Sequence, residues 1–418
     1  MQALAISLIG LFLTVPAAQT AVPAGGATAG AAHAEPGLRQ PARADWRARL
    51  LADAAAIAVL PPVPVHARDR AKMQERVGLA YVSAGEPNKA EDVAREIDGW
   101  RRATLFAAIA LEHARAGRAD DARRVVRIAA AAATLGNDWQ RQRAQVMAAR
   151  VYAWLGDDAE AARLEQGVGE PEMGKVAAVR AEQAARGTFA NAAVTEAFDG
   201  QMTALDAWLE TRNFDLVRNA VDIAIEYHPG AFADAQRRAR VESLVLKANE
   251  QLAYDLRIAN LLRLAANCEK AGDRAAARGF IAKADETFGV GKWLADDGAV
   301  QLALIAQAKA RSGDAEGCAV QLAAALARFD AGRADIIDID RARPLRAIAE
   351  AYATAGDIEK ARAVFARALE EGAVNPNARP RAEDLVATIL SMVSAGVEPG
   401  AEVAARMSAI REGLVAPW

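Results

Sequence analysis

Along the stretch from Arg341 to Glu371, apolar residues return every three or four positions. Leu345, Ile348, Ala349 and Tyr352 share one helical face; Ala361, Val364, Phe365 and Ala368 share another. Between the two runs stands Gly356, a residue free to take the left-handed conformation that ends a helix. Asp357 follows and is suited to cap the next helix. The pattern predicts two helices folded back on each other. Alanine at 349, 361 and 368 lets the two rods approach closely. Such a hairpin cannot bury its apolar face alone and must stack on neighbours.

The same phrase recurs along the chain: a small or polar residue, Gly, a polar residue, then a small residue five after the glycine. It stands at Gly85 with Ala90, Gly117 with Ala122, Gly156 with Ala161, Gly272 with Ala277, Gly313 with Cys318, Gly356 with Ala361 and Gly396 with Ala401. A fixed phrase at variable spacings of roughly forty residues predicts hairpins joined by loops of different length. The expected fold is all-α, a solenoid of antiparallel helix hairpins. Its repeats occupy 67–169 and 258–418, an arrangement that allows two stacks joined by an irregular helical middle at 170–257. In that middle, weak units can be placed at Gly187 with Ala192 and around Arg212. Leu205, Trp208, Leu209, Phe214, Val217, Val221 and Ile225 form an apolar set, His228-Pro229-Gly230 is a turn signal, and Ala239 to Ile258 reads as one long helix. Ahead of the repeats, Ala44 to Leu60 reads as an amphipathic helix ending at Pro61-Pro62-Val63-Pro64, so that 44–66 forms a capping element. Asp335 to Asp340 is the best strand candidate and reads better as a loop.

Composition narrows the function classes. Of 418 residues, 53% are hydrophobic, 5% aromatic and 25% charged. That apolar share excludes disorder for most of the chain. A net charge of −3 gives little counterion release, against nucleic-acid binding. Cys268 and Cys318 alone cannot make a disulfide scaffold. They occupy different core positions in their units and are expected to be buried free thiols. Residues 1–34 carry no Asp, Glu, Lys or Arg, and Ala3 to Val15 is an apolar run of signal-peptide length, too short to span a bilayer. Residues 1–24 are therefore read as a signal peptide, although it lacks a basic leading segment. The Ala/Gly/Pro-rich residues 25–43 read as a flexible linker. A periplasmic or secreted protein is expected, with membrane contact only through the N-terminal segment if it stays uncleaved.

The repeated residues resemble the tetratricopeptide repeat. Ala349, Tyr352, Gly356, Ala361, Phe365 and Ala368 match the family's small, aromatic, Gly, Ala, aromatic, Ala pattern. Gly78, Tyr81, Gly85 and Ala90 match it in part, with Ala94 in place of the second aromatic; so do Ala149, Tyr152, Gly156 and Ala161. The Gly272 unit carries Cys268 at an aromatic position. The resemblance covers about 67–168 and 258–410, and implies a concave binding face lined by the first helix of each hairpin. Carried over residue by residue, that face holds Lys72, Glu75, Leu79, Arg115, Arg143, Arg150, Trp154, Arg343, Arg346 and Glu350. Arg143, Arg150 and Trp154 would form one basic-aromatic patch, and Arg343, Arg346 and Glu350 a second, polar one. The Lys/Asn carboxylate clamp of some family members is not reproduced.

Catalytic signals are few. No GxSxG, Walker A or HExxH motif occurs, and Gly167-Val168-Gly169 lacks the third glycine and the preceding strand of a dinucleotide loop. His33, His66, His113 and His228 show no ligand spacing, so no metal is expected. His113 stands at an aromatic core position. Asp120-Asp121, Asp157-Asp158 and Asp273 fall in first helical turns, where anions are favoured. Asp296-Asp297 is a loop pair, and Arg101-Arg102, Arg123-Arg124 and Arg237-Arg238 read as solvated faces. The expectation is a non-catalytic scaffold of the cell envelope that binds a protein or peptide and needs no cofactor. The runner-ups are a helical-toroid enzyme acting on polysaccharide, which needs two facing carboxylates in an aromatic cleft, and a purely structural assembly subunit.

Overall fold

The computed structural model describes residues 46–186 and 192–418. The readings of a signal peptide and a linker lie outside them, as does Gly187 of the weak unit placed there. The described residues form nineteen α-helices, from α1 (Trp46–Ala58) to α19 (Ala401–Glu412), and no strand. The expected all-α helical-repeat solenoid is what the chain builds.

The phrase glycines do what the sequence requires. All seven, at 85, 117, 156, 272, 313, 356 and 396, lie at positive φ, between 70° and 85°. At Gly356 the following N–H, that of Asp357, donates to the carbonyl of Tyr352 at 3.0 Å, the bond that closes a Schellman motif. The Asp357 carboxylate then accepts from the Lys360 N–H and caps the next helix. Asp157, Asp273 and Asp314 cap in the same way. At Gly78 the absence of a side chain lets Leu105 pack directly on the backbone; an added methyl would overlap it.

Every second helix belongs to an inner layer: α2 (Ala67–Ser83), α4 (Trp100–Arg115), α6 (Asp138–Trp154), α8 (Lys175–Arg186), α10 (Phe214–Ala231), α12 (Tyr254–Lys270), α14 (Ala295–Arg311), α16 (Ala342–Thr354) and α18 (Ala378–Ala395). Each packs on the next, and α18 packs back on α2, so the layer is a closed ring. The outer helices include α3 (Pro87–Arg95), α5 (Ala119–Ala132), α11 (Ala235–Asn249), α13 (Arg274–Val290), α15 (Ala315–Gly332) and α17 (Ile358–Gly372), each folded against the inner helix before it.

The seam is made by the two ends of the described chain. The helix expected as a cap, α1, lies against α18 and α2 and takes the outer place beside α18. Leu50, Leu51, Ala54, Ile57 and Ala58 are buried there, Leu51 and Ala54 completely. Asp53 pairs with Arg411 at 2.9 Å, and the Ala378 N–H donates to the Pro417 carbonyl at 2.7 Å. Apolar packing runs unbroken across the seam: one cluster holds Leu51, Phe106, Phe329, Phe365 and Met392 together. A second cluster, with Phe198, Val221, Leu264 and Phe280, fills the arc from α8 to α14.

The middle departs from expectation at two points. His228-Pro229-Gly230 is not a turn but lies inside α10. Proline there lacks the N–H that the Ile225 carbonyl would accept. The Asn267 side chain supplies a substitute bond to that carbonyl at 3.3 Å, and the helix continues. Ala239 to Ile258 is not one helix: α11 ends at Asn249 and α12 starts at Tyr254. The reversal is fastened by Arg257, whose guanidinium donates to the carbonyls of Leu252 and Glu250. Arg212 sits at φ 54°, in the left-handed place that glycine fills in the regular hairpins. Asp335 to Asp340 is irregular apart from a short 3-10 turn at its end.

Candidate functional site: the lumen of the ring

Ring closure directs the inner faces of the even-numbered helices toward a common axis. Side chains from helices that do not touch in sequence order meet there. Arg115 on α4 reaches past α6 to Glu182 on α8 at 2.5 Å. Glu182 also holds Arg186 at 3.0 Å. Both guanidiniums lie over the Trp154 ring, Arg186 at 4.9 Å and Arg115 at 5.8 Å from its centre. One turn back along α6 stands Arg150. Its Nη1 donates to the Met147 sulfur at 3.2 Å, and its Nε is buried without an acceptor. Among the described residues no carboxylate lies within ion-pair distance of it. Burial and the neighbouring Arg115 pull its pKa down, while Glu182, Glu226 and Asp222 oppose that from farther away. Those acids are engaged: Arg263 on α12 takes Asp222 at 2.6 Å and Glu226 at 3.6 Å. Burial holds the Glu226 carboxyl above the usual range. Arg150 is thus a half-buried charge whose side chain meets only a sulfur as acceptor, with its Nε shut away from water and unpaired, a costly state that an anion would relieve.

The site residues expected from the repeat face are distributed unevenly. Arg115, Arg150 and Trp154 come together. Arg143, expected with them, stands at the other end of α6, 3.7 Å from Glu172 and 6.0 Å from the Trp100 ring. Trp100 packs edge-on against the half-exposed Trp139 at 5.3 Å, an aromatic pair the sequence reading did not single out. Lys72 is exposed, and Glu75 accepts from Arg101 and Thr104. The second expected patch divides as well. Arg343 is bound by Asp296 and Asp297, which lie not in a loop, as expected, but in the first turn of α14. Arg346 pairs with Asp384 at 2.8 Å, and Glu350 accepts from the Ser391 hydroxyl. Glu182 and Glu226, which frame Arg150, were missed. Both sit in the irregular middle, where no repeat phrase marks the inner face.

Glu350 gives a prediction with a definite sign. Burial pushes its carboxyl up, against the pull of Ser391 and Arg346. The unfolded chain loses this proton near pH ~4.3. Above that point the folded state binds more protons than the unfolded one, so stability falls as pH rises to the folded pKa. Glu350→Gln removes that loss. Thermal melts are expected to show the variant above the wild type by a few degrees at neutral pH, and level with it below pH ~4. A variant less stable at neutral pH would contradict the burial argument.

No family model matches the chain, and no curated protein matches it. Among solved structures it is similar to a "circular tandem repeat protein with novel repeat topology and enhanced subunit contact surfaces", at 14% identity, covering 88% of this chain and 96% of that one, with a TM-score of 0.26. No helix of the described residues is long and apolar enough to cross a membrane.

Proposed function

We propose that the protein is a non-catalytic, tetratricopeptide-like scaffold of the cell envelope, and that its partner presents an acidic group to the lumen beside Arg150. The observation that carries this reading is the half-buried Arg150 guanidinium with a buried, unpaired Nε and no carboxylate partner among the described residues, flanked by Trp154 and Arg115. A carboxylate from a partner's side chain or chain end would supply the charge-assisted bonds that guanidinium lacks. Trp154 offers a flat apolar contact next to it. A ring held by packing around its whole circumference loses little ordering entropy on binding. The apolar, uncharged start of the sequence supports export.

Ring closure also supports a second reading, an enzyme of the helical-toroid kind. That reading needs two facing carboxylates free to act. Glu182, Asp222 and Glu226 are each occupied by a guanidinium, which favours binding over hydrolysis.

Affinity capture from native envelope extract, with full-length chain as bait, separates these readings. Arg150→Gln is expected to lose the captured partners that Arg143→Gln retains. Against a peptide from the captured partner, Arg150→Gln should weaken binding about tenfold or more, the worth of one charge-assisted pair. Changing the peptide's acidic residue to its amide should weaken wild-type binding equally. Unchanged binding by the Arg150 variant would reject the lumen as the site, and turnover of polysaccharide abolished in Glu226→Gln would replace the scaffold by the enzyme.

A further inference from the structure

Away from the lumen, three helices bring together three side chains of different chemistry. His228 from α10, Glu242 from α11 and Cys268 from α12 place their ligand atoms within 4.8 Å of one another. His228 and Cys268 are wholly buried. The His228 Nε2 lies 3.1 Å from Glu242 Oε1, while its Nδ1 is buried with no partner among the described residues. The Arg238 guanidinium sits among them. Its Nε donates to Glu242 at 2.7 Å, one Nη to Asp273 at 2.7 Å, and the other faces the Cys268 sulfur at 3.7 Å.

We propose that His228 Nε2, Glu242 and Cys268 Sγ form a divalent transition-metal site of the zinc class, and that Arg238 holds the cation's place in the metal-free chain. A nitrogen, an oxygen and a sulfur donor are the set that suits zinc and its neighbours rather than magnesium or calcium. Tetrahedral zinc, with bonds of about 2.0–2.3 Å, sets its ligands roughly 3.3–3.8 Å apart. The three donors therefore need to close by only about 1 Å, within reach of side-chain rotation. Charge agrees: the cluster already gathers a cation between two carboxylates, and Arg238 can swing outward while keeping Asp273. Binding forms a metal–sulfur bond in place of the thiol S–H and releases that proton to solvent. The ring proton of His228 moves to Nδ1, which has no other commitment, so that Nε2 can offer its lone pair. The fourth position is left to water or to Asp273. Such a site would pin α10 and α11, from the stretch that lacks the repeat phrase, to α12, which opens the next regular hairpin.

The test uses cobalt(II) as the probe on chelator-treated full-length chain. One cobalt per chain is expected, with a thiolate-to-cobalt charge-transfer band in the near ultraviolet that zinc abolishes by displacement. Cys268→Ser should lose the band while its circular dichroism stays unchanged. Arg238→Ala, which keeps all three ligands, should bind cobalt about tenfold tighter or more, the size of effect that neighbours of metal ligands exert. The proposal is overturned if the wild-type chain retains no cobalt on dialysis, or if the band survives in Cys268→Ser. Equal affinity in Arg238→Ala would overturn the role given to the guanidinium.

Discussion

Leu51→Asp is expected to open the ring. Leu51 is completely buried between α1 and the helices at the seam. An aspartate there would bury a charge with no partner, at a cost of several kcal/mol, on the order of 4 or more. The chain has an escape that core variants elsewhere lack, because α1 can detach as a unit and leave the other hairpins stacked. Chemical denaturation should show a low-denaturant transition absent from the wild type. Limited proteolysis should then cut first between α1 and α2. Arg49→Asp, an exposed position on the same helix, should stay within about 0.5 kcal/mol of wild type. If Leu51→Asp unfolds in one cooperative step at nearly the wild-type midpoint, α1 is not holding the seam.

Arg346→Ala is the second large effect expected. Its guanidinium pairs with Asp384 at 2.8 Å, and both side chains are mostly buried, 15% and 11% exposed. Burial already drives the Asp384 carboxyl up despite that partner. The same basin holds Arg76, whose pKa burial and Arg346 bring down to about 10. Removing Arg346 strands Asp384, and breaking such a pair costs about 3 kcal/mol. Part of the loss returns through relief of Arg76. Arg346→Ala with Asp384→Asn should recover most of the stability, because the uncompensated charge is gone. Equilibrium denaturation of the two single variants and the double variant measures this coupling. Strict additivity would show that the pair does not act as a unit.

These two cases mark what could and could not be read from the amino-acid order. Helix ends were legible because each is local: a glycine at positive φ ends one helix, and after Gly156, Gly272, Gly313 and Gly356 the next residue is an aspartate that caps the following one. The inner-face offsets of Arg115, Arg150 and Trp154 were legible through the resemblance to the tetratricopeptide repeat, which implies that the first helix of each hairpin lines the inner face. Closure was not, because Leu51 meets α18 across more than three hundred residues with no local signature. The hairpin around Arg212 was legible only as a weak unit, because arginine stands there in a conformation normally left to glycine. Pro229 suggested a break that Asn267, on the neighbouring helix α12, repairs. Arg143 and Arg150 were grouped by face, yet seven residues of helix put them about 10 Å apart along the axis. The grouping of His228, Glu242 and Cys268 depends on three helices at once, which no spacing along the chain records.

The seam can be measured directly. Spin labels at Asp53→Cys and Arg411→Cys replace one exposed ion pair, which contributes little to stability. With α1 seated beside α18, pulsed dipolar spectroscopy should give one short separation, roughly two helix diameters or ~20 Å. An open array of stacked hairpins, each about 10 Å wide, would hold its ends on the order of 50 Å or more apart. A single short distance is the result expected of a closed ring, and a long or broad distribution would contradict it.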